Sequence, residues 1–296
     1  MSAATPISGP SRRELEYGSE PRRVKVIRAP SLSPRAVWNN LSLLAEYKDL
    51  LYTLSAHRIK VRYKQSLLGI FWAVLQPLSL MLIYTIIFSF IMKMPSGDAP
   101  YALFVYAGIL PWICFSSALT SATSSLTAHA NLITKVYFPR EILPLTYVLA
   151  SLFDFFIASV VLGGLLFYYR APLTWNVLYA LPIMLALIVF ALAMSLFFSA
   201  LQARYRDIGF GVGLLLQLWM FATPVVYPLS LVPDRWRPYY LLNPMAGIVE
   251  NFRRVTLQGA PPDLSSLGIS ALLAVVLLAG AYLFFKLTEA TMADII

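Results

Sequence analysis

The sequence predicts an all-α integral membrane protein with six transmembrane helices, an N-terminal amphipathic interface helix and short outer re-entrant helices. Three observations predict this fold class. The 296 residues are 59% hydrophobic and 12% charged, about half the charged share of an average soluble domain. Six apolar runs reach the length of about 20 residues that a helix needs to cross the hydrocarbon core. The basic residues, finally, concentrate in alternate connections between these runs.

The chain begins with a basic region that we assign to the cytoplasm. Residues 1–37 are rich in Pro, Ser and Arg and predict a disordered tail, without the early apolar stretch of a secretory signal. Residues 38–66 form the interface region, in which 47–65 predicts a helix lying on the inner membrane surface. One side of this helix is apolar except at Arg58, and it consists of Tyr47, Leu50, Leu51, Leu54 and Val61. A solvated basic linker is the alternative.

The six predicted spans form a transmembrane domain over 67–287, followed by a cytoplasmic tail at 288–296. Their approximate bounds are 67–92, 102–126, 142–169, 176–201, 208–231 and 264–287. The fifth span is the least regular because Pro224 and Pro228 interrupt it, which neighbouring helices can accommodate. With the N-terminus inside, the cytoplasmic segments hold 17 of the 23 Lys and Arg residues. This bias predicts that both termini are cytoplasmic.

Two connections are richer in apolar residues than ordinary loops. Residues 131–141 join spans two and three on the cytoplasmic side, and their aromatic and aliphatic side chains predict a docking surface. Packing against the chain's own helices is the alternative. Residues 233–263 lie outside and contain an amphipathic stretch at 245–257, which predicts partial insertion over the outer mouth. Its charged residues Glu250, Arg253 and Arg254 are candidates for an outer gate.

The sequence lacks the residue patterns of common catalytic and metal sites. No lysine follows a glycine, so the phosphate-binding loop of an ATPase is missing. One cysteine, Cys114, and two histidines argue against a disulfide within the chain and against a metal site. We therefore predict no catalytic residue, no metal and no cofactor bound by this chain.

The net charge of +9 raises nucleic acid as a partner, but its distribution argues against one. Twelve of the 23 Lys and Arg residues lie in residues 1–66, before the first span. Anionic lipid headgroups are the natural counter-charge there. We predict membrane lipid, and no nucleic acid, as the partner of this region.

The second span is rich in hydroxyl groups. Eight of the twelve residues from Ser116 to Thr127 are Ser or Thr. These hydroxyls either bond to their own helix and allow close packing, or line a hydrated path for a hydroxylated substrate such as a sugar. In the second case the candidates for lining the channel are Ser117, Thr120, Ser121 and Ser124.

Asp154 is the one acid well inside a predicted span. An intramembrane carboxylate indicates a proton relay or a substrate contact by default. Asp154 shares a face of small or polar character with Tyr147, Ser151 and Ala158, however, and such a face favours helix packing. Packing is the interpretation that we prefer.

Four regions of the sequence occur in an order typical of one transporter family. They are IKVRYKQSLLGIFWAVLQP at 59–77, ITKVYFPREILP at 133–144, RYRDI at 204–208, and TPVVYP at 223–228 leading to LNPM at 242–245 and FRR at 252–254. Together they resemble the permease subunit of polysaccharide-exporting ABC transporters, the class that handles O-antigens, teichoic acids and capsules. The resemblance extends from about 38 to 286 and leaves the basic tail outside.

The resemblance implies a homodimeric permease of the bacterial cytoplasmic (inner) membrane, paired with two copies of a separate ATPase that binds ATP and Mg. The segment 131–141 would be seated in a groove of that ATPase through Asn131, Lys135, Tyr137, Phe138, Pro139, Arg140 and Glu141. At the entrance, the anionic headgroup of a lipid-linked glycan would be attracted by Arg58, Lys60, Arg62 and Lys64. Residues 245–257 would cover the exit.

Three other interpretations compete with this one. An exporter of drugs or small lipids would share the fold. A membrane glycosyltransferase or acyltransferase would need a cluster of acids or histidines at a membrane face, and the sequence offers none. A structural scaffold would need neither outer re-entrant helices nor a hydroxyl-rich span.

Overall fold

The computed structural model describes residues 46–64, 66–94 and 99–295, and every regular element in these ranges is a helix. The all-α prediction is therefore confirmed. The predicted disordered tail at 1–37 and the start of the interface region at 38–45 lie outside the described residues. The boundaries drawn there stay predictions.

Within the described residues, five helical stretches are long and apolar enough to cross a membrane. They are Gly69–Ile91, Tyr101–Thr123, Ile142–Tyr168, Trp175–Arg204 and Leu264–Glu289. The shortest of them has 23 residues, which rise about 34 Å and exceed the roughly 30 Å of hydrocarbon. The chain is thus a multi-pass membrane protein.

The α-helices are numbered here in chain order. They are α1 (Lys48–Lys64), α2 (Trp72–Tyr84), α3 (Tyr101–Thr123), α4 (Ser125–Ala128), α5 (Ala130–Lys135), α6 (Ile142–Tyr168), α7 (Ala180–Arg204), α8 (Ile208–Phe221), α9 (Arg237–Leu241), α10 (Pro244–Leu257) and α11 (Leu264–Ile295). A 3₁₀ turn at Gly69–Phe71 and a π-helical segment at Thr85–Ile91 extend α2, and a 3₁₀ turn at Trp175–Tyr179 precedes α7.

The predicted fifth span does not form one continuous helix over 208–231. Helix α8 has 14 residues and rises only about 21 Å, short of the hydrocarbon thickness. It ends at Phe221 because a turn follows that contains Pro224 and leads to Pro228, and proline provides no N–H for a continuing helix. Five long helices and one short apolar helix are observed, and the sixth crossing stays a prediction.

Different helices pack together at the two ends of the bundle. At one end, here the α1 end, Phe138 and Ile142 pack with Ala200 of α7 and Phe285 of α11. At the other, the α10 end, α10 packs against α3 and the beginning of α11. Helix α7 finishes at the α1 end and α11 starts at the α10 end. The chain therefore passes from one end to the other between Arg204 and Leu264, and α8 makes the first part of that passage.

The second span, α3, lies at the centre of the molecule. It packs against α2, α6, α7 and α10, and most of its residues are buried. Phe115 of α3 stacks on Phe190 of α7 at 5.0 Å between ring centroids, and the edge of Trp219 of α8 meets both rings. Helix α2 is the opposite case, because Pro77 is its one fully buried residue, while Leu78, Leu80, Met81 and Tyr84 are partly buried against the core. Its exposed side must face lipid or other protein.

The interface helix α1 packs along α6. Tyr47, Leu50, Leu51 and Leu54 contact the core at the α1 end, which confirms the first part of the predicted apolar side. The prediction is wrong for Val61, which is 60% exposed. The apolar side stops at Leu54 because the next two turns of α1 place arginines against α6 instead.

Candidate functional site

The four basic residues predicted at the entrance lie on two different sides of α1. Arg58 and Arg62, four residues apart and therefore on one side of the helix, face α6. Lys60 and Lys64 are exposed. The structure thus leaves the two lysines at the surface and brings the two arginines into contact with the transmembrane helices.

Arg58 is held by two aromatic side chains. Its guanidinium lies 3.6 Å from the centre of the Tyr147 ring and its Nη2 is 3.2 Å from Nε2 of His129. A guanidinium only donates hydrogen bonds, so Nε2 of His129 accepts, and its Nδ1–H donates to the Ser125 carbonyl at 2.8 Å. His129 is therefore neutral in this arrangement. Burial lowers the pKa of Arg58, which nevertheless stays charged.

Asp154 binds two residues of the interface helix. Its carboxylate forms an ion pair with Arg62 and accepts a hydrogen bond from the Tyr63 hydroxyl. Burial raises the pKa of Tyr63, which keeps the phenol protonated as a donor. The face of α6 that carries Asp154 does pack against another helix, as preferred from the sequence. The carboxylate itself, however, ties α1 to the third span through charge.

A cavity of about 360 Å³ opens beside this ion pair, between α1, α2, α3 and α6. Its apolar walls include Trp72, Pro77 and Phe155. Its polar lining residues are Arg62, Tyr63, Gln76, Ser117, Ser151 and Asp154. Among the lining residues, Arg62 is the one cation and Asp154 the one anion, so the cavity combines hydrogen-bonding groups with a single paired charge of each sign.

The hydroxyl groups of the second span divide between the two interpretations of the sequence. Ser116, Thr123, Ser124 and Thr127 donate to carbonyls of their own helical turns at 2.6 to 3.3 Å, as in a tightly packed helix. Ser117 instead accepts a hydrogen bond from Ser151 at 3.4 Å and lines the cavity. Thr120 is exposed and Ser121 half-buried. The channel-lining role of this face stays a prediction.

The segment 131–141, here called the coupling segment, presents only part of its surface outward. Asn131, Lys135 and Tyr137 are exposed, while Phe138 and Pro139 are buried. Residues Ile133 to Arg140 surround a surface pocket of about 290 Å³. One part of the segment therefore packs inward, as the alternative interpretation expects, and the docking role of the exposed part stays a prediction.

Arg140 and Glu141 anchor the coupling segment to the last helix. Arg140 donates to the backbone oxygen of Glu289 at 2.6 Å. Glu141 is 4% exposed and forms an ion pair of 2.7 Å with Lys286, which also pairs with Glu289 at 2.8 Å. Burial raises the pKa of Glu141 although the charge of Lys286 opposes this. These two predicted docking residues thus bind within the chain.

At the α10 end, residues 223–263 fold back into the bundle and are here called the cap segment. Helix α10 has 14 residues, of which all but Glu250 and Arg254 are buried. This burial is what non-spanning backbone at membrane depth requires. Asn251 fixes the helix at its centre, because its amide donates to Ser266 at 2.8 Å and accepts from the Asp263 N–H at 2.7 Å.

The three predicted gate residues have different surroundings. Arg253 is 1% exposed, and its guanidinium donates to the carbonyl oxygens of Phe104, Pro224 and Val225. It also lies 3.8 Å from a Glu250 oxygen. Arg254 is exposed and donates to Pro261 at 2.7 Å. Arg253 is therefore an internal brace of the cap segment, which corrects its placement at an open mouth, while Glu250 and Arg254 stay candidates there.

Three residues of the candidate site were not predicted from the sequence. Tyr63, His129 and Tyr147 were not assigned to the entrance, yet they hold Asp154 and Arg58. The sequence does contain one sign of these contacts, because Arg58 interrupts the apolar side of α1 and Arg62 follows one turn later. Two arginines on the inner side of a helix call for partners on the helix that they face.

Comparison with known proteins agrees with this architecture. The profile of the ABC-2 type transporter family matches residues 49–257. A protein of Myxococcus xanthus named O-antigen export system permease protein RfbA is 34% identical over 245 residues, which cover 82% of this chain and 94% of that protein. A Klebsiella pneumoniae protein of the same name is 32% identical over 214 residues, 71% of this chain and 81% of its own length.

A more distant relative extends the comparison. The polysialic acid transport protein KpsM of Escherichia coli is 24% identical over 253 residues, covering 81% of this chain and 93% of that protein. The family match begins inside α1 and ends with α10, so it contains the arginine-bearing helix, the coupling segment and the internal brace Arg253. This chain belongs to the ABC-2 type transporter family.

Proposed function

We propose that this chain is the permease subunit of an ABC transporter that exports a lipid-linked, O-antigen-like polysaccharide across the bacterial cytoplasmic membrane. The observation that carries the proposal is the similarity to an O-antigen export permease over 94% of that relative's length. The similarity to a polysialic acid transport protein points to the same substrate class. The transport energy comes from a separate ATPase subunit that binds ATP and Mg, because this sequence has no phosphate-binding loop.

The coupling segment is the proposed contact with the ATPase. Lys135, Val136 and Tyr137 are exposed beside a surface pocket. Arg140 and Glu141 connect the same segment to the end of α11. A movement of the ATPase against the exposed part would therefore be transmitted to the last span through an ion pair and a hydrogen bond.

The α1 end is the proposed cytoplasmic side, and the permease acts as a homodimer. The positive-inside bias supports this orientation, since α1 and the coupling segment carry basic residues at that end. Helix α2 supports the dimer, because its side with Trp72, Leu82 and Ile83 is exposed within one chain. The glycan would then pass between two copies, with the hydroxyl face of α3 as part of the path.

The proposal is tested by deleting the gene in its own host and following the lipid-linked glycan. We expect surface polysaccharide to be lost and glycan to accumulate on the inner leaflet, where inverted membrane vesicles expose it to an added glycosidase. In parallel, the tagged chain purified in detergent should bring an ATPase subunit with it at equal stoichiometry. Unchanged surface polysaccharide in the deletion strain, or ATP hydrolysis by the purified chain alone, would contradict the proposal.

A further inference from the structure

The cavity beside Asp154 contains one residue suited to bind a phosphate group. A guanidinium binds carboxylates and phosphates with the same pair of parallel N–H donors. In the structure Nη1 of Arg62, one of these donors, is bound to the Asp154 carboxylate. A phosphate group that binds Arg62 through the full pair therefore competes with Asp154 for Nη1.

The two partners, Arg62 and Asp154, differ in how far their side chains are exposed. The Arg62 side chain is 35% exposed, whereas that of Asp154 is 19% exposed. Arg62 belongs to the last turn of α1, next to the first span, and Asp154 lies in the middle of α6. The arginine is thus the more accessible of the two partners for an anion that enters the cavity.

The cavity also provides a partner for Asp154 after such an exchange. The Tyr63 hydroxyl donates to the carboxylate independently of Arg62. An intramembrane carboxylate without any donor is costly, so this second hydrogen bond lowers the cost of losing the ion pair. Gln76, Ser117 and Ser151 add further hydrogen-bonding groups around the vacated position.

We propose that Asp154 is a built-in competitor for Arg62, so that a phosphorylated lipid headgroup binds in this cavity by exchanging for the Asp154 carboxylate and leaves the end of α1 tied to Asp154 through the Tyr63 hydrogen bond alone. The proposal rests on the export function above and names the regulated step at its entrance. Arg58, held on Tyr147 one turn earlier, keeps the rest of α1 in place during the exchange. Substrate binding thereby changes the contacts of the third span, α6, which loses its ion pair with α1.

Binding measurements on the complete transporter in lipid nanodiscs test the exchange. The probes are a polyprenyl diphosphate in the nanodisc and inorganic pyrophosphate in solution. Asp154→Asn removes the competing charge but preserves the size of the side chain, and we expect it to bind the polyprenyl diphosphate about tenfold more tightly. Arg62→Gln should bind it more weakly, and the double variant D154N/R62Q should be as weak as R62Q alone. Lys48→Gln, which removes an exposed charge at the start of the same helix, is the matched control and should bind like the unmodified protein.

Tyr63→Phe gives a second readout if Asp154→Asn fails to assemble with its ATPase. It leaves the ion pair intact but removes the donor that stabilises Asp154 after the exchange, so binding should weaken. Asp154→Asn with unchanged or weaker binding, or with a gain that persists without Arg62, would overturn the exchange. A gain for inorganic pyrophosphate alone would overturn the lipid assignment.

Failure of the exchange and failure of the export function have different signatures. A transporter that exports glycan while Asp154→Asn leaves binding unchanged refutes the exchange and leaves the function standing. A transporter that neither exports glycan nor binds the polyprenyl diphosphate in its unmodified form refutes the function itself.

Discussion

Arg253 is a buried cation whose charge is used to hold backbone segments together. Its donors reach carbonyl oxygens from α3 and from the turn after α8, two segments more than 100 positions apart in the chain. The ring of Phe104 adds a cation–π contact at 3.8 Å. The Pro224 and Val225 carbonyls lie in a turn outside any helix, so the arginine supplies a donor to each of them.

Replacing Arg253 by Gln should strongly destabilise the protein. The shorter neutral side chain cannot reach all three carbonyl oxygens, and buried acceptors without donors cost on the order of 3 kcal/mol in total. The measurement is thermal unfolding of the purified complex in detergent. Arg254→Gln, an exposed arginine next in sequence, is the control and should change the midpoint little. Equal effects of the two variants would refute the internal brace.

Gly108 should tolerate no side chain, for a reason connected with the same arginine. A Cβ at this position would lie 2.6 Å from the Val225 carbonyl oxygen and against the Arg253 guanidinium. Gly108→Ala is therefore expected to destabilise the protein, although alanine favours helices in general. Gly164→Ala is the control, because its Cβ would meet no atom within 4 Å. A destabilised Gly164→Ala with an unaffected Gly108→Ala would contradict the close approach.

At the scale of elements, the coupling segment and α11 form one unit. The Glu141–Lys286 pair crosses between them in a buried position, where a charge without its partner is costly. Helix α11 in turn packs along α7. A displacement of the coupling segment is thus carried into two spans.

Lys286→Met should destabilise the protein, and lowering the pH should reverse part of the loss. The variant leaves the Glu141 carboxylate buried alone, on the order of 3 kcal/mol at neutral pH. Burial already raises the pKa of Glu141, so the folded state binds its proton more tightly than the unfolded state and gains stability as the pH falls. Thermal unfolding at about pH 8 and about pH 5 measures this effect.

The double variant E141Q/K286M provides the control. It removes both charges and should be more stable than K286M, with little dependence on pH over the same range. A pH-independent loss in K286M would show that the contact contributes through packing instead of charge.

The length and periodicity of the apolar runs were enough to predict most helices, but not which helices pack against each other. The runs at 102–126 and 142–169 became α3 and α6 with small shifts, because spans of that length have no alternative to a helix in lipid. Helix α8 stops at Phe221, shortly before Pro224, whereas the sequence analysis expects Pro224 only to interrupt one continuous span. Arg62 and Asp154 are 92 positions apart, so their pairing depends on how α1 lies along α6, which periodicity within one helix does not contain.

The whole molecule is asymmetric along the direction of its spans. One end collects α1, the coupling segment and the last turns of α11, and the buried helix α10 lies at the other. The passage from α7 back to α11 is one more end-to-end passage than the five long helices among the described residues provide. The short helix α8 and the cap segment together make up this distance.

Single engineered cysteines should confirm that the two ends face opposite sides. In a Cys114→Ala background, cysteines replacing exposed Tyr205 and exposed Ser265 should be labelled by a membrane-impermeant maleimide from opposite faces of the membrane. The first should react only in inverted vesicles and the second only in intact spheroplasts. Labelling of both positions from the same side would exclude the passage between α7 and α11.

The position of α10 within the bundle has a consequence for the order of events during biosynthesis. Its Asn251 is held by Ser266 of α11 and by the Asp263 backbone, both of which leave the ribosome later. Until α11 has been made, Asn251 lacks both of these partners, and a buried amide without partners is costly. Helix α11, which follows α10 in the chain, thus supplies the contacts that fix α10 in its buried position. Chains truncated before Leu264 and released from the ribosome should accordingly expose the region around Asn251 to protease, whereas full-length chains protect it.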